Sequence, residues 1–278
     1  MPVSDAVPAW RRNAADIGAG SSAWVTLWRA KDLIGFFALR DLRVRYKQAA
    51  LGAVWVLLLP VVTVVIFTLV FSRLADIDSE GIPYPLFALV GMIVWTYFST
   101  ATLRGSEVLV NNPQMVTKVS FPRMAAPAGA LLPPLVDLAV SMTLVVVLML
   151  YYRAVPSWRI VAIPLWLLLM VLAAFAFTLW LSALNVRYRD VQYAVGPLMQ
   201  VWFFASPVAY PSSLLSGWQE LFYAINPIAG LIGLARWSLL DAPWPGWPLA
   251  ASLVSVTAVL AGGLAYFRRA ERSFADVI

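Results

Sequence analysis

Apolar residues gather into about six long runs along this chain, and short polar segments between them hold nearly all of its arginine and lysine. A hydrocarbon core about 30 Å thick takes roughly 20 helical residues to cross, at about 1.5 Å each. The runs predict spans at 49–71, 85–103, 124–152, 160–184, 191–208 and 249–267. The third is long enough to tilt or to run on into the interface. The fifth is the weakest: it is short and contains Gln192, Gly196, Pro197 and Gln200. Unbroken runs such as 160–184 predict helices, since a membrane barrel would show short alternating segments instead. The expected fold is therefore all-α and polytopic, with six transmembrane helices.

The segments between the runs have their own patterns. Residues 1–23 are rich in Ala, Ser, Gly and Asp and predict a flexible tail. Residues 24–48 combine Trp24, Leu27, Trp28, Leu33, Ile34, Phe36 and Phe37, at spacings of three and four, with a dense basic end. That spacing predicts an amphipathic helix lying on the membrane. Leu42, Val44 and Tyr46 alternate with basic residues, as in a strand, but a lone strand there would leave its backbone unpaired. The remainder, 49–278, reads as one six-span domain. Its longest polar loop, 104–123, is punctuated by Asn112-Pro113 and Phe121-Pro122, and 185–190 reads as a tight polar hinge. Between the fifth and sixth spans, prolines at 211, 227, 243, 245 and 248 bracket an apolar stretch at 228–240. Some 13 residues are too few to cross, so a pair of re-entrant or interfacial half-helices is expected.

Charge orients the bundle. With six spans both ends lie on one side, and that side carries sixteen of the twenty basic residues. The other keeps Arg73, Arg153, Arg159 and Arg236. This bias predicts cytoplasmic termini. The net charge of +6 then reads as topology and attraction to anionic lipid, with no nucleic-acid partner. Composition agrees: 62% hydrophobic residues and a mean hydropathy of +0.80 exceed what a soluble surface accommodates. Residues 1–20 lack an apolar core, so no signal peptide is expected at this end.

Much chemistry is excluded. The chain has no histidine and no cysteine, which removes imidazole bases, disulfides and the common soft metal ligands. Lys31, Lys47 and Lys118 follow Ala, Tyr and Thr, so no phosphate-binding Gly-Lys-Ser/Thr loop exists and any ATPase must be another chain. Asp137 is the sole acidic residue in a predicted span. Ion-coupled carriers need several such groups at depth, and Asp137 reads as a satisfied polar group beside the Pro133-Pro134 kink. The mid-span aromatics Trp95, Tyr97, Phe98, Trp202, Phe203 and Phe204 lie outside any interfacial belt. Packing and a conduit wall on which sugars stack both account for them.

Six segments in order, RDLRVRYKQAALGAVW, KVSFPR, SALNVRYRDV, WFFASPVAYP, INP and YFRRAERSFADVI, resemble the permease subunit of the bacterial ABC exporters that move lipid-linked polysaccharide such as O-antigen, capsule or teichoic-acid precursors. The resemblance covers about residues 38–278 and implies a homodimer in the bacterial inner membrane, joined by two copies of a separate ATPase. ATP and Mg would sit on that partner, with no cofactor or metal on this chain. The resemblance assigns ATPase coupling to a helix over 107–118, with Glu107, Asn111, Asn112, Lys118 and Arg123 as candidates. It assigns the interface helix and lipid diphosphate contacts to Arg40, Arg43, Arg45, Tyr46 and Lys47. The conduit candidates are Trp95, Tyr97, Phe98, Trp202, Phe203, Phe204 and Tyr210, and 209–240 would form external re-entrant helices. Two other classes stay open: an ABC permease for a drug or small molecule, and a membrane-embedded glycan-processing enzyme built on the external carboxylates Glu220 and Asp241.

Overall fold

A computed structural model describes residues 23–47, 52–113, 121–214 and 217–274, which are helical and contain no strand. In chain order the helices are α1 (Ala23–Arg29), α2 (Lys31–Lys47), α3 (Gly52–Phe67), α4 (Tyr84–Glu107), α5 (Ala125–Ala130) and α6 (Leu132–Tyr152). They continue with α7 (Ile163–Arg187), α8 (Val191–Phe204), α9 (Trp218–Ile225), α10 (Ala229–Leu240) and α11 (Trp247–Ala270). Prolines in the first turns of α4, α6, α7 and α11 start these helices where an amide is not needed.

Five stretches are long and apolar enough to cross a membrane: Leu57–Leu74, Tyr84–Glu107, Ala125–Tyr152, Trp158–Arg187 and Trp247–Ala270. They coincide with five of the six predicted runs. The sixth, expected over 191–208, has only 14 helical residues in α8, about 21 Å of helix against a core of about 30 Å. Pro207 cannot extend the helix, and the Asn226 side chain instead takes the Ala205 carbonyl at 3.1 Å. The third predicted run is two helices. Pro133 and Pro134 have no amide to continue the ladder, so the chain breaks at Leu131 between α5 and α6.

The 24–48 segment is helical to its basic end, with a turn at Ala30 separating α1 from α2. Trp28, Phe36 and Leu39 are exposed, while Phe37 and Ala38 are buried. The buried side rests on α5, where Gly129 lets the backbone approach Phe37: an added Cβ would stand 3.0 Å from the Phe37 Cβ.

α4 is the central post. Of its window 78% is buried, against 11% for Leu57–Leu74 and 22% for α11. It packs against α6, α7 and α10, and α7 in turn carries α11. In lipid, helices gain nothing by hiding apolar surface from one another, so close contact at small residues does the holding. At Gly105 a Cβ would lie 2.3 Å from Thr178 Cγ2. At Gly263 it would lie 3.0 Å from Trp180, whose Nε1 donates to the Val259 carbonyl at 2.9 Å. Asn185 Nδ2 donates to the Ser106 carbonyl at 3.0 Å and pins α7 to the next residue of α4.

Gly105→Ala therefore lowers the thermal stability of the purified protein, by about 1–3 kcal/mol. Thr178→Ala in the same chain restores part of the loss, because it removes the two nearest Thr178 atoms. Scanning fluorimetry on the two single variants and the double measures both effects.

Candidate functional site

Two grooves meet on α4. The first, about 610 Å³, lies between α3, α4 and α8 and is open along one side of the protomer. Its wall alternates aromatic rings (Phe67, Trp95, Phe203, Phe204) with polar groups (Thr63, Ser99, Thr100, Arg104, Gln200). Behind the wall the rings continue edge to face into the protein: Trp95 to Trp202 at 6.0 Å, Phe98 to Trp202 at 5.2 Å and Phe177 to Trp202 at 4.9 Å. Such edge-to-face contacts hold each ring in one orientation.

The predicted conduit residues divide across this cluster. Trp95, Phe203 and Phe204 face the groove, and Phe204 is 65% exposed. Phe98 is fully buried and Tyr97 is 2% exposed, its hydroxyl turned toward the Leu131 carbonyl at 3.3 Å. Trp202 is half-buried, with Nε1 donating to Asn226 Oδ1 at 3.1 Å. Tyr210 donates its hydroxyl to the Phe204 carbonyl at 3.0 Å, and burial raises its pKa above the ordinary phenol value. That hydroxyl caps the end of α8.

The second groove, about 410 Å³, opens at the α2 end of the bundle. Arg40, Asp41 and Val44 of α2 face Arg104, Glu107, Asn111 and Asn112 at the end of α4, with Ala130 and Pro133 behind them. Arg40 pairs with Asp41 at 2.9 Å. Asn112 Nδ2 returns to the Val108 carbonyl at 2.8 Å and closes the last turn of α4. This brings three expected coupling residues, Glu107, Asn111 and Asn112, beside Arg40 of the interface helix. Glu107 is the last residue of α4 rather than the first of a separate helix. Arg43 is exposed; Arg45, Tyr46 and Lys47 end α2, and Lys118 lies outside the described residues. Arg123 does not line this groove: its amide donates to Glu271 Oε1 at 3.0 Å and its guanidinium to the Glu271 carbonyl oxygen, clamping the end of α11. Burial raises the Glu271 carboxyl, while that amide bond and the charges of Arg123 and Arg268 oppose the shift. Arg104 lines both grooves.

At the opposite end, α9 and α10 form a helical hairpin turned by Asn226-Pro227. Asn226 is its knot: Oδ1 accepts from Trp202 Nε1 and the Ile228 amide (3.1 Å each), and Nδ2 donates to the Ala205 carbonyl and Ser206 Oγ (3.1 and 2.9 Å). Arg236 is its bolt. Only 5% exposed, it donates to the Phe87 and Val208 carbonyls at 3.2 and 2.8 Å and lies 3.4 Å over the Phe87 ring. Gly91 makes the room, since a Cβ there would fall 2.6 Å from the guanidinium. Neither residue was a sequence candidate, although one arginine inside the apolar run 228–240 is the signal of a buried, engaged charge. Glu220 and Asp241 do not act as a pair: Glu220 accepts from Trp247 Nε1 at 3.0 Å and Asp241 binds Arg159 at 2.8 Å. Among the described residues no three acidic side chains gather to hold a metal ion.

Among the described residues, helices long and apolar enough to cross a membrane frame a polar, aromatic groove. Residues 33–240 match the family model of the ABC-2 type transporter, and the chain belongs to that family. It is similar to the O-antigen export system permease protein RfbA of Myxococcus xanthus, 32% identical over 209 residues, 74% of this chain and 79% of that protein. A second RfbA, from Klebsiella pneumoniae, is 23% identical over 249 residues, covering 89% of this chain and 95% of its own. The polysialic acid transport protein KpsM of Escherichia coli is 23% identical over 213 residues, 75% and 80% of the two chains.

Asn226→Ala removes four side-chain hydrogen bonds at the hairpin turn. It costs on the order of 2–4 kcal/mol. In limited proteolysis, cleavage accelerates at the α9–α10 turn and stays unchanged at the α2 end.

Proposed function

We propose that this chain is the transmembrane subunit of an ATP-driven exporter that moves an O-antigen-like polysaccharide, carried on undecaprenyl diphosphate, across the bacterial inner membrane. The observation that carries the reading is the open groove on α4, whose wall mixes ring faces with hydroxyl, amide and guanidinium groups at membrane depth. Ring faces stack on sugars while the polar groups between them meet hydroxyls. The exporters named among its relatives support the choice of cargo. Because the groove is open along one side, a second copy facing the first would close it into a conduit.

In this reading α8 and the turn after it complete a sixth crossing, the α9–α10 hairpin is re-entrant from outside, and both termini are cytoplasmic. The charge split of sixteen to four supports that orientation. The basic end of α2 (Arg40, Arg43, Arg45 and Lys47, with Tyr46) draws in the lipid diphosphate. A separate ATPase, two copies per homodimer, supplies ATP and Mg and docks where Glu107, Asn111 and Asn112 meet α2, with Lys118 and Arg123 as the further candidates later in the sequence. Closure of that partner would press on the end of α4, and α4 touches both grooves.

Leucine at Phe203 or Phe204 then leaves the amount of folded, inserted protein near wild type but lowers glycan export several-fold, since leucine has no ring face; leucine at Trp95, only 6% exposed, lowers both, and export by the larger factor. Leucine at the buried Phe98 instead lowers the amount of folded protein. Export unchanged in all three groove variants would refute the conduit. In the cysteine-free chain, a single cysteine at position 112 is labelled by an impermeant reagent only after the membrane is opened; labelling of intact spheroplasts would overturn the orientation.

The chain alone hydrolyses no ATP and gains that activity only with its partner. Glu107→Ala with Asn111→Ala uncouples export from hydrolysis without loss of inserted protein. ATPase and export assays on the same proteoliposomes separate the two effects.

A further inference from the structure

On the side of α3 away from the aromatic groove, a cleft of about 330 Å³ lies between α3, α4 and α6. α3 contributes Val61 and Val65, the π-helical turn Thr68–Leu74 that continues it contributes Leu69, and α6 contributes Leu144 and Leu148 at a four-residue spacing, so each side gives one apolar stripe. Both stripes end in polar groups at the same level, Arg73 on the π-helical turn Thr68–Leu74 and Tyr152 at the end of α6. Arg73 has no ion pair or hydrogen bond among the described residues. Asp76 and Asp78 follow it in the loop without lining the cleft.

We propose that this cleft binds an anionic glycerophospholipid, one acyl chain lying between α3, α4 and α6 and the phosphate on Arg73. The leaflet is the one away from α2. Length selects the chain. Val61 to Arg73 spans about 18 Å of helix, close to one leaflet of a core about 30 Å thick, and short for a long polyprenyl tail. Charge selects the direction. The next cleft along the same three helices, about 280 Å³, is lined by Asp137 with Thr96 and Thr100. A carboxylate repels phosphate, so the cation at the far end places the headgroup. Packing supplies the reason for a site: only 11% of the Leu57–Leu74 window is buried, and a seated acyl chain takes the place of a neighbouring helix against it. The proposal rests on membrane insertion and is independent of which glycan is exported.

Native mass spectrometry of the full-length protein, titrated in detergent with phosphatidylglycerol or with diacylglycerol, tests it. Phosphatidylglycerol binds in preference, and Arg73→Gln weakens it about fivefold. Arg153→Asn, a change at the neighbouring left-handed position that does not line the cleft, leaves binding unchanged. Leu144→Trp fills the cleft and lowers phosphatidylglycerol occupancy without changing the oligomeric state. Undiminished binding in Arg73→Gln, equal binding of diacylglycerol, or a polyprenyl lipid as the retained molecule would each overturn the proposal. A shift of Leu144→Trp from dimer to monomer would overturn it too, by making the cleft an interface between copies.

Discussion

Close approach of α4 to its neighbours is the constraint on which the rest of the structure depends. In a bilayer the lipid chains are as apolar as leucine, so contact must come from shape and from hydrogen bonds between helices. Gly105 against Thr178, Gly91 beneath Arg236, and Asn185 reaching the Ser106 carbonyl provide both. Each contact needs a small residue on one side and a specific larger one on the other. With α4 fixed, its two ends present different surfaces: a buried arginine bolt at one end and a polar groove at the other.

Against that post, α3 is loosely held, and its position decides what the protein offers to its surroundings. One side of α3 borders the aromatic groove and the other borders the two clefts shared with α4 and α6. A small rotation of α3 would alter both at once, at little cost in buried contact. α8 shares this character, with Tyr193, Leu198, Val201 and Phe204 exposed along its length. α3 and α8, two of the three helices that frame the groove, are thus mostly unburied, and such segments are where motion costs least.

Arg104 joins the two grooves and explains why their residues belong together. The expected coupling residues and the expected lipid contacts come from segments some 60 positions apart, yet Arg40 and Glu107 line one cleft. Arg40 and Arg104 line that cleft together, and Arg104 also borders the aromatic wall beyond.

Hydrophobic run length and charge placement were legible without coordinates, because bilayer thickness and anionic headgroups act on local stretches of chain. They located five helices long and apolar enough to cross a membrane, the helical character of 24–47, and a short apolar helix within 228–240. Run length did not foresee the end of α8 after Phe204, where Pro207 and the Asn226 side chain intervene; a hydropathy window does not register a hydrogen bond from 21 residues away. The aromatics at 95–98 were equivalent as a list and became distinct only when packing turned Phe98 and Tyr97 inward and Trp95 toward the groove. Asn226, Arg236 and Arg104 owe their roles to partners brought from other helices. Such roles are properties of the tertiary arrangement, since a side chain's work in lipid is set by which carbonyl, ring or charge the fold places within its reach.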